Sequence, residues 1–338
     1  MRVAIEGIVH LIGLWDDFIY PLTFLKSEES STIPLGVLTL FGEYVRGVEY
    51  AFCQFDDIII AMICFQVIYR RTYVGGDKMG KRWISFDLDG TLMQNPFGTW
   101  VFPEIARVIS SQLGREYDIV SEMVTEHERR MYQERYVEAY DWDDILVSRC
   151  DALSIEKKID IESLVRKHSV IPKVNLLEGG ILQMLEEIKK LGFSLAVVTN
   201  GFYKFQVPVM EALGLLEYFD EIVTPERAGT GKPDPAILQK LSGEVIAHVG
   251  DRLDHDIHLA NRSHVTSILI ERKLPEELLR LQPHMRANDH GMRMFCLEKW
   301  RRECKNPLLS ELPELFMPRI VICSMGEFLS VLAKQEMG

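Results

Sequence analysis

The sequence has no Cys-x-x-Cys pair, is short of positive charge and contains no long uninterrupted apolar run. Its six cysteines, Cys53, Cys64, Cys150, Cys296, Cys304 and Cys323, are scattered through 338 residues. A chain of this length buries a core of its own, so the scatter argues against a disulfide framework and for a reducing cytoplasm. Lys and Arg number 38 against 50 Asp and Glu, a formal net charge of -12. Duplex binding rests on neutralising phosphates with basic side chains, so this balance argues against a general nucleic-acid binder. Arg2 precedes an apolar stretch, but Asp16 and Asp17 interrupt it and no small-residue cleavage site follows, so no secretory signal is expected. The longest apolar run, Ile58 to Tyr69, would cover about 18 Å as a helix, short of the roughly 30 Å of a hydrocarbon core. Any membrane association would rest on residues 1–78, and a true transmembrane helix is not expected there.

The length favours two or more compact units. The character of the chain changes near Gly75 to Met79: aromatic and apolar residues with few helix caps precede it, and strands alternating with amphipathic helices follow it. In the first piece, the run Gly13-Leu14-Trp15-Asp16-Asp17-Phe18-Ile19-Tyr20-Pro21-Leu22 and then Ser31-Thr32-Ile33-Pro34-Leu35-Gly36 resembles the C-terminal end of sugar-type ABC-transporter inner-membrane permeases. The family's coupling loop is absent and its last span is shortened to Ile58 to Tyr69, so the resemblance does not imply a working transporter subunit. Residues 1–78 therefore read as a permease-like remnant or accessory segment. Gly75-Gly76-Asp77-Lys78 must be encoded GGN-GGN-GAY-AAR, which can hold a purine-rich ribosome-binding sequence just before Met79. Met79 is accordingly expected to be the natural start of the second piece.

From Lys81 onward the order is strand, helical insertion, then repeated helix and strand, as in a parallel α/β sheet flanked by helices. Strands are expected at Arg82 to Phe86, Ser194 to Thr199, Glu221 to Thr224, Val245 to Val249, Thr266 to Ile270 and Arg319 to Cys323. Short apolar, β-branched runs suit a sheet covered on both faces, whose ligands collect beyond the carboxyl ends of its strands. Asp87 with Asp89, Thr199 with Asn200, Lys232, and Asp251 with Asp256 all fall at those ends. Several carboxylates at one sheet edge call for a cation, and Mg²⁺ takes hard oxygen ligands while keeping waters for a phosphate.

Four segments carry a specific resemblance: Asp87-Leu88-Asp89-Gly90-Thr91-Leu92, Val198-Thr199-Asn200-Gly201, Lys232 in Gly231-Lys232-Pro233-Asp234-Pro235, and Gly250-Asp251-Arg252-Leu253-Asp254-His255-Asp256. In this order they resemble the haloacid dehalogenase-like (HAD) hydrolase superfamily over nearly all of 79–338. The resemblance implies a Rossmann-like core and Mg²⁺-dependent hydrolysis of a phosphate monoester through an aspartyl-phosphate on Asp87. It implies that Asp89 protonates the leaving oxygen and later deprotonates water, and that Gly90, Thr199, Asn200 and Lys232 bind the phosphate. Lys232 and Thr199 would share in catalysis, and Asp87, Asp89, Asp251 and Asp256 would form the metal set, Asp256 directly or through water.

Between the first two segments, helical periodicity at Pro103 to Leu113, Ile119 to Ala139, Trp142 to Ala152 and Ile161 to His168 resembles the helical cap of one branch of the superfamily. The expected layout is a core of 79–94 and 177–338 with a cap of 95–176. Trp100, His127, Arg130 and Trp142 are the cap side chains considered for substrate contact, although their spacing reads first as packing or solvated surface. The stretch 272–318 reads as a helical surface insertion, with Arg301-Arg302-Glu303 on a solvated face and no zinc-like spacing among His284, His290, Cys296 and Cys304. The resemblance to nucleotide and small-metabolite phosphatases points to a small phosphorylated metabolite, a nucleotide or a sugar phosphate being candidates. A 2-haloacid dehalogenase is a rival that Asp89 disfavours. A phosphomutase uses the same residues, and a membrane-associated non-catalytic fusion is the alternative from another class.

Overall fold

The computed structural model of the protein describes residues 80–156 and 158–335. The permease-like segment, the Ile58 to Tyr69 run and Met79 lie outside the described residues. Six short strands build the main sheet: β1 (Arg82–Phe86), then, beyond the minor strands β2 (Met93–Gln94) and β3 (Asn175–Leu176), β4 (Ser194–Val198), β5 (Glu221–Val223), β6 (Glu244–Gly250), β7 (Thr266–Ile270) and β8 (Ile320–Ile322). Their spatial order is β5-β4-β1-β6-β7-β8, and every pairing is parallel. The chain runs outward from β1 to β4 and β5, then crosses back to begin again at β6. The β1/β6 junction is therefore the topological switch point, where open α/β sheets leave a crevice.

The alternation of side chains explains why these runs are strands buried on both sides. Ile84, Phe86, Leu195, Val197, Ala247, Val249, Ile268, Ile270, Ile320 and Ile322 share one core with residues of α6 (Ile181–Lys190) and α10 (Met325–Gln335). Trp83, Ala196 and Val198 point the other way, into a cluster with Ile237 and Leu259. Period-two alternation with apolar residues on both faces is what a helix-covered parallel sheet requires.

The segment between β2 and β3 is helical: α1 (Phe102–Leu113), α2 (Ile119–Tyr132), α3 (Tyr136–Ala139), α4 (Trp142–Ala152) and α5 (Ile161–His168). Their starts are set by carboxylate caps that satisfy unpaired N–H groups, Asp118 accepting from Ser121 N, Asp141 from Asp144 N and Asp160 from Glu162 N. Ile105, Ile109, Met123, Ile145, Cys150 and Val165 close their common interior. The single helix expected from Ile119 to Ala139 is instead broken at residues 133–135, with Glu134 at φ 58°. The break lets buried Arg130 donate to the Glu138 carbonyl (2.8 Å) as well as to Glu126 (2.8 Å). Both passages of the chain between this helical segment and the sheet run through the antiparallel β2–β3 ribbon, which pairs Met93 with Leu176 and Gln94 with Asn175.

The stretch 272–318 is helical, as expected, but not a surface decoration. Leu274, Leu278, Leu312 and, from α9 (His290–Glu303), Met292, Cys296, Leu297 and Trp300 pack on Leu269 and Val321 of the sheet and on Leu253 and Ile257. These apolar residues of 272–318 supply a second core that covers the β7–β8 end of the sheet. Between Gly250 and β7 lies one short helix, α8 (His258–Arg262), preceded by a wide π-type turn over Leu253–Ile257. The remaining long helix of the sheet layer is α7 (Tyr203–Ala212).

Candidate active site

The site forms where β1, β4 and β6 end side by side. Asp87 follows the last residue of β1, and its N–H still donates to Val249 O on β6 (2.9 Å), so the carboxylate is fixed to the sheet. The chain then turns sharply: Thr91, Leu92 and Met93 all donate their N–H to Leu88 O. Gly90 adopts φ +83°, and a Cβ there would lie 2.5 Å from Asp251 Oδ2, so only glycine admits both the turn and the close approach of that carboxylate. Arg272, just past β7, clamps the same turn through Nη1 to Gly90 O (2.9 Å) and Nη2 to Thr91 O (2.8 Å), while its Nε donates to Glu178 (2.8 Å).

Lys232 is 2% exposed and donates from Nζ to Asp87 Oδ1 (2.5 Å) and Asp256 Oδ1 (2.6 Å). Its main chain is gripped by the Asn200 side chain, which donates to Lys232 O (3.1 Å) and accepts from Lys232 N (2.7 Å). The Asn200 amide, expected on the phosphate, is thus committed at both ends to placing the lysine. Thr199 is buried at the end of β4, with its N–H on Val223 O and its hydroxyl oxygen accepting from Gly201 N (3.2 Å). Asp256 accepts from Lys232 on Oδ1 and from Arg252 N on Oδ2 (3.0 Å), and the buried imidazole of His248 approaches Oδ1 at 3.3 Å. Ser85 Oγ lies 2.9 Å from the other ring nitrogen of His248. Burial holds that imidazole below its ordinary pKa although Asp256 favours its charged form, and the Ser85 hydroxyl also donates to Ala247 O (3.2 Å).

Asp87, Asp251 and Asp256 each bring a carboxylate oxygen within 4.8 Å of the others'. Burial pushes Asp87 up to about 8, with Lys232 pulling the other way and Asp256 and Asp251 adding to the rise. Asp251 goes up to about 6, again through burial first and then Asp256. Asp256 is held low despite its burial because Lys232 and His248 favour its charge, and the two carboxylates in turn raise the pKa of Lys232 against its own burial. The carboxylates raise one another's pKa by crowding negative charge beside a single ammonium, and a divalent cation with hard oxygen preference would relieve that crowding and matches the donor set.

Asp89 is raised by burial, an effect that Gln206 and then Asn95 oppose by hydrogen bonding. Gln206, Ser85, His248, Arg272 and Glu303 belong to the neighbourhood and were not expected there. His248 did leave a signal, a polar residue within an apolar buried strand. Glu303 is not solvated: its Oε2 accepts from Leu253 N (2.9 Å) and Asp254 N (3.1 Å), holding the turn that carries Asp251 and Asp256. Of the helical-segment candidates, Arg130 is buried on Glu126 and Asp144. His127 donates from Nδ1–H to Ala139 O (2.6 Å) and packs with Tyr140 and Trp142. Trp142 also meets Phe97 at a tilt and Phe102 edge to face, and Trp100 lies against His168 and under Lys173. The arrangement provides a carboxylate able to attack, a carboxyl able to move a proton, an ammonium to neutralise anionic charge and three carboxylates close enough to share a cation.

Residues 81–264 match the family model described as haloacid dehalogenase-like hydrolase. Over 98 residues, 27% of this chain, the sequence is 34% identical to the glyceraldehyde 3-phosphate phosphatase of Methanopyrus kandleri, and the match spans 42% of that protein. It is 28% identical over 197 residues to the glyceraldehyde 3-phosphate phosphatase of Methanocaldococcus jannaschii, covering 55% of this chain and 83% of that one. The fold is similar to the crystal structure of a HAD phosphatase from Thermococcus onnurineus, with a TM-score of 0.52 and 20% identity over 74% of this chain and 97% of the other.

Proposed function

The chain belongs to the haloacid dehalogenase-like hydrolase family, and from that premise we propose that it hydrolyses a small phosphate monoester through an aspartyl-phosphate formed on Asp87. The observation that carries this reading is the Asp87–Lys232–Asp256 arrangement at the β1/β6 switch point with Asp89 two residues on. An Asp87 oxygen attacks phosphorus, and the bond to the leaving oxygen breaks. Asp89 gives that oxygen a proton, then takes one from the water that cleaves the aspartyl-phosphate. Lys232 neutralises charge on Asp87 and on the transferred group, and the Thr199 hydroxyl donates to a phosphoryl oxygen. The N–H groups of Gly90 to Met93 are spent within the turn, Gly90 donating to Met93 O (3.0 Å), and the Asn200 side chain serves Lys232, so the main-chain N–H groups of Leu88, Asp89 and Asn200 are the remaining phosphate donors and Gly90 serves by shaping the turn rather than by binding phosphate itself.

Mg²⁺ would be held by Asp87, Asp251 and the Asp89 main-chain carbonyl, with Asp256 acting chiefly as anchor of Lys232 because both its oxygens already accept protein donors. When bound, the ion supplies positive charge to the phosphoryl oxygens. Asp89 favours ester cleavage over dehalogenation, since only an alkoxide leaving group needs a proton. Residues 79–94 and 177–338 would form the catalytic core and 95–176 the cap that excludes water. The relatives named for glyceraldehyde 3-phosphate favour a small phosphorylated metabolite, and Cys296, Cys304 and Cys323, which form no disulfide among the described residues, fit a cytoplasmic setting.

The test is phosphate release from a panel including glyceraldehyde 3-phosphate, sugar phosphates and nucleoside monophosphates, with Mg²⁺ and with a chelator. The wild-type chain is expected to turn over at least one ester only with Mg²⁺, and Asp87→Asn to lose on the order of 10⁴-fold or more in kcat. Absence of turnover of every ester by the wild type would sink the phosphatase reading, and an active Asp87→Asn would remove the nucleophile from Asp87.

A further inference from the structure

Gln206 sits in the first turns of α7 with 4% of its surface exposed, within a run of the helix buried from Phe205 to Met210. A buried amide in an apolar helix face is costly unless it is engaged. Its Nε2 donates to Asp89 Oδ2 at 2.8 Å and reaches Thr199 Oγ1 at 3.5 Å. Among the described residues its Oε1 is buried without a hydrogen-bond partner, and so is Asp89 Oδ1. Leaving such an acceptor unpaired costs about 1–3 kcal/mol, so the site keeps this amide for what its N–H does.

The loop below has the matching shape. A Cβ on Gly201 would lie 2.0 Å from Gln206 Nε2, so the absence of a side chain at 201 is what admits the amide between Asp89 and Thr199. One carboxylate oxygen filled by an N–H and the other left open is an oriented carboxyl group: the filled oxygen acts as acceptor, and the open one is the atom that carries and releases a proton.

We propose that Gln206 is a positioning residue that fixes the Asp89 carboxyl through Oδ2 and leaves Oδ1 as the oxygen that exchanges the proton with the leaving group. The proposal rests on the phosphatase reading. In the first half-reaction an Asp87 oxygen bonds to phosphorus, the phosphorus–oxygen bond to the alcohol breaks with its electron pair, and that oxygen receives the proton from Asp89 Oδ1. In the second, a water oxygen bonds to phosphorus, one water proton returns to Asp89 Oδ1, and the Asp87–phosphorus bond breaks to restore the carboxylate and release phosphate. Gln206 touches neither phosphorus nor the leaving oxygen.

Leaving-group chemistry distinguishes this role from a structural one. A nitrophenolate departs without a proton, whereas an alkoxide requires one. With the full chain and Mg²⁺, Gln206→Met and Gly201→Ala are each expected to lower kcat for glycerol phosphate on the order of 10²-fold while lowering kcat for p-nitrophenyl phosphate less than about fivefold. Equal losses on both esters in both variants would assign Gln206 a structural role only, and unchanged turnover of both would assign it none. Each outcome overturns the proposal. If the wild type hydrolyses neither ester nor any in the panel, it is the phosphatase reading that has failed, and this inference falls with it.

Discussion

Glu303 lies at the last turn of α9, 50 residues beyond the main-chain groups it binds, yet its carboxylate fastens the turn between Asp251 and Asp256. Burial first, then Asp254, pushes its pKa up to about 7 from an ordinary 4.5. A carboxyl whose folded-state pKa is raised binds more protons in the native state, so it lowers stability as pH rises from about 4.5 to about 7. Glu303→Gln keeps an acceptor without the charge, and is expected to flatten the urea-melt stability profile across that window and to exceed the wild type above pH 7. Glu303→Ala removes the acceptor and is expected to cost about 1–3 kcal/mol at every pH. No local pattern announces this residue, because the charged run Arg301-Arg302-Glu303 is like many solvated helix ends. Asp87, Asp89, Thr199 and Asp251 were legible because each closely follows a strand and parallel strands deliver their ends to one edge, whereas Lys232 and Asp256 stand nine and six residues past β5 and β6 and were legible through the motifs that hold them. Gln206 meets Asp89 across 117 residues of sequence, and its partner was not readable from either end.

At the level of elements, all six main strands stand within a residue or two of where alternation and β-branching put them. The helices from 102 to 168 also follow their apolar spacing. The interruption after α2 was not legible, since it depends on Arg130 reaching a carbonyl that only the folded chain presents. The two-residue strands β2 and β3 are too short for any period to show. Within α2, Glu126 joins Arg129 and Arg130, and the Arg129 hydrogen bond, working against slight burial and aided by Arg130, holds its pKa at about 2. A depressed carboxyl contributes stability above its unfolded value near 4.5 and loses it as pH falls toward 2. Acid titration followed by far-UV circular dichroism should therefore show helix loss beginning below about pH 4.5, and Glu126→Gln should shift helix loss to less acidic pH while lowering stability at pH 7. A variant titrating like the wild type would show that the pair carries no stability.

For the molecule as a whole, the second core under 272–318 makes that stretch part of the fold. Leu297 is 5% exposed and packs with residues of the sheet and of the Leu253–Ile257 turn. Leu297→Ala is expected to lower the unfolding free energy by about 2–5 kcal/mol in a single cooperative transition. A separate early transition, with the rest of the melt unchanged, would instead show 272–318 to be an independent unit. Contacts between the helical segment and the sheet layer include Lys204 with Asp143 (2.6 Å) and Lys305 with Glu128, partly or largely exposed pairs worth little each. The covalent route through β2 and β3 is of another kind. Because the chain leaves at Met93 and returns at Leu176 on paired positions, the sheet senses only that its two loose ends are neighbours, whatever lies between them. Such an insertion is a cassette: a change of length within it leaves the two joined ends, and with them the register of the strands that carry Asp87 and Asp251, where they are.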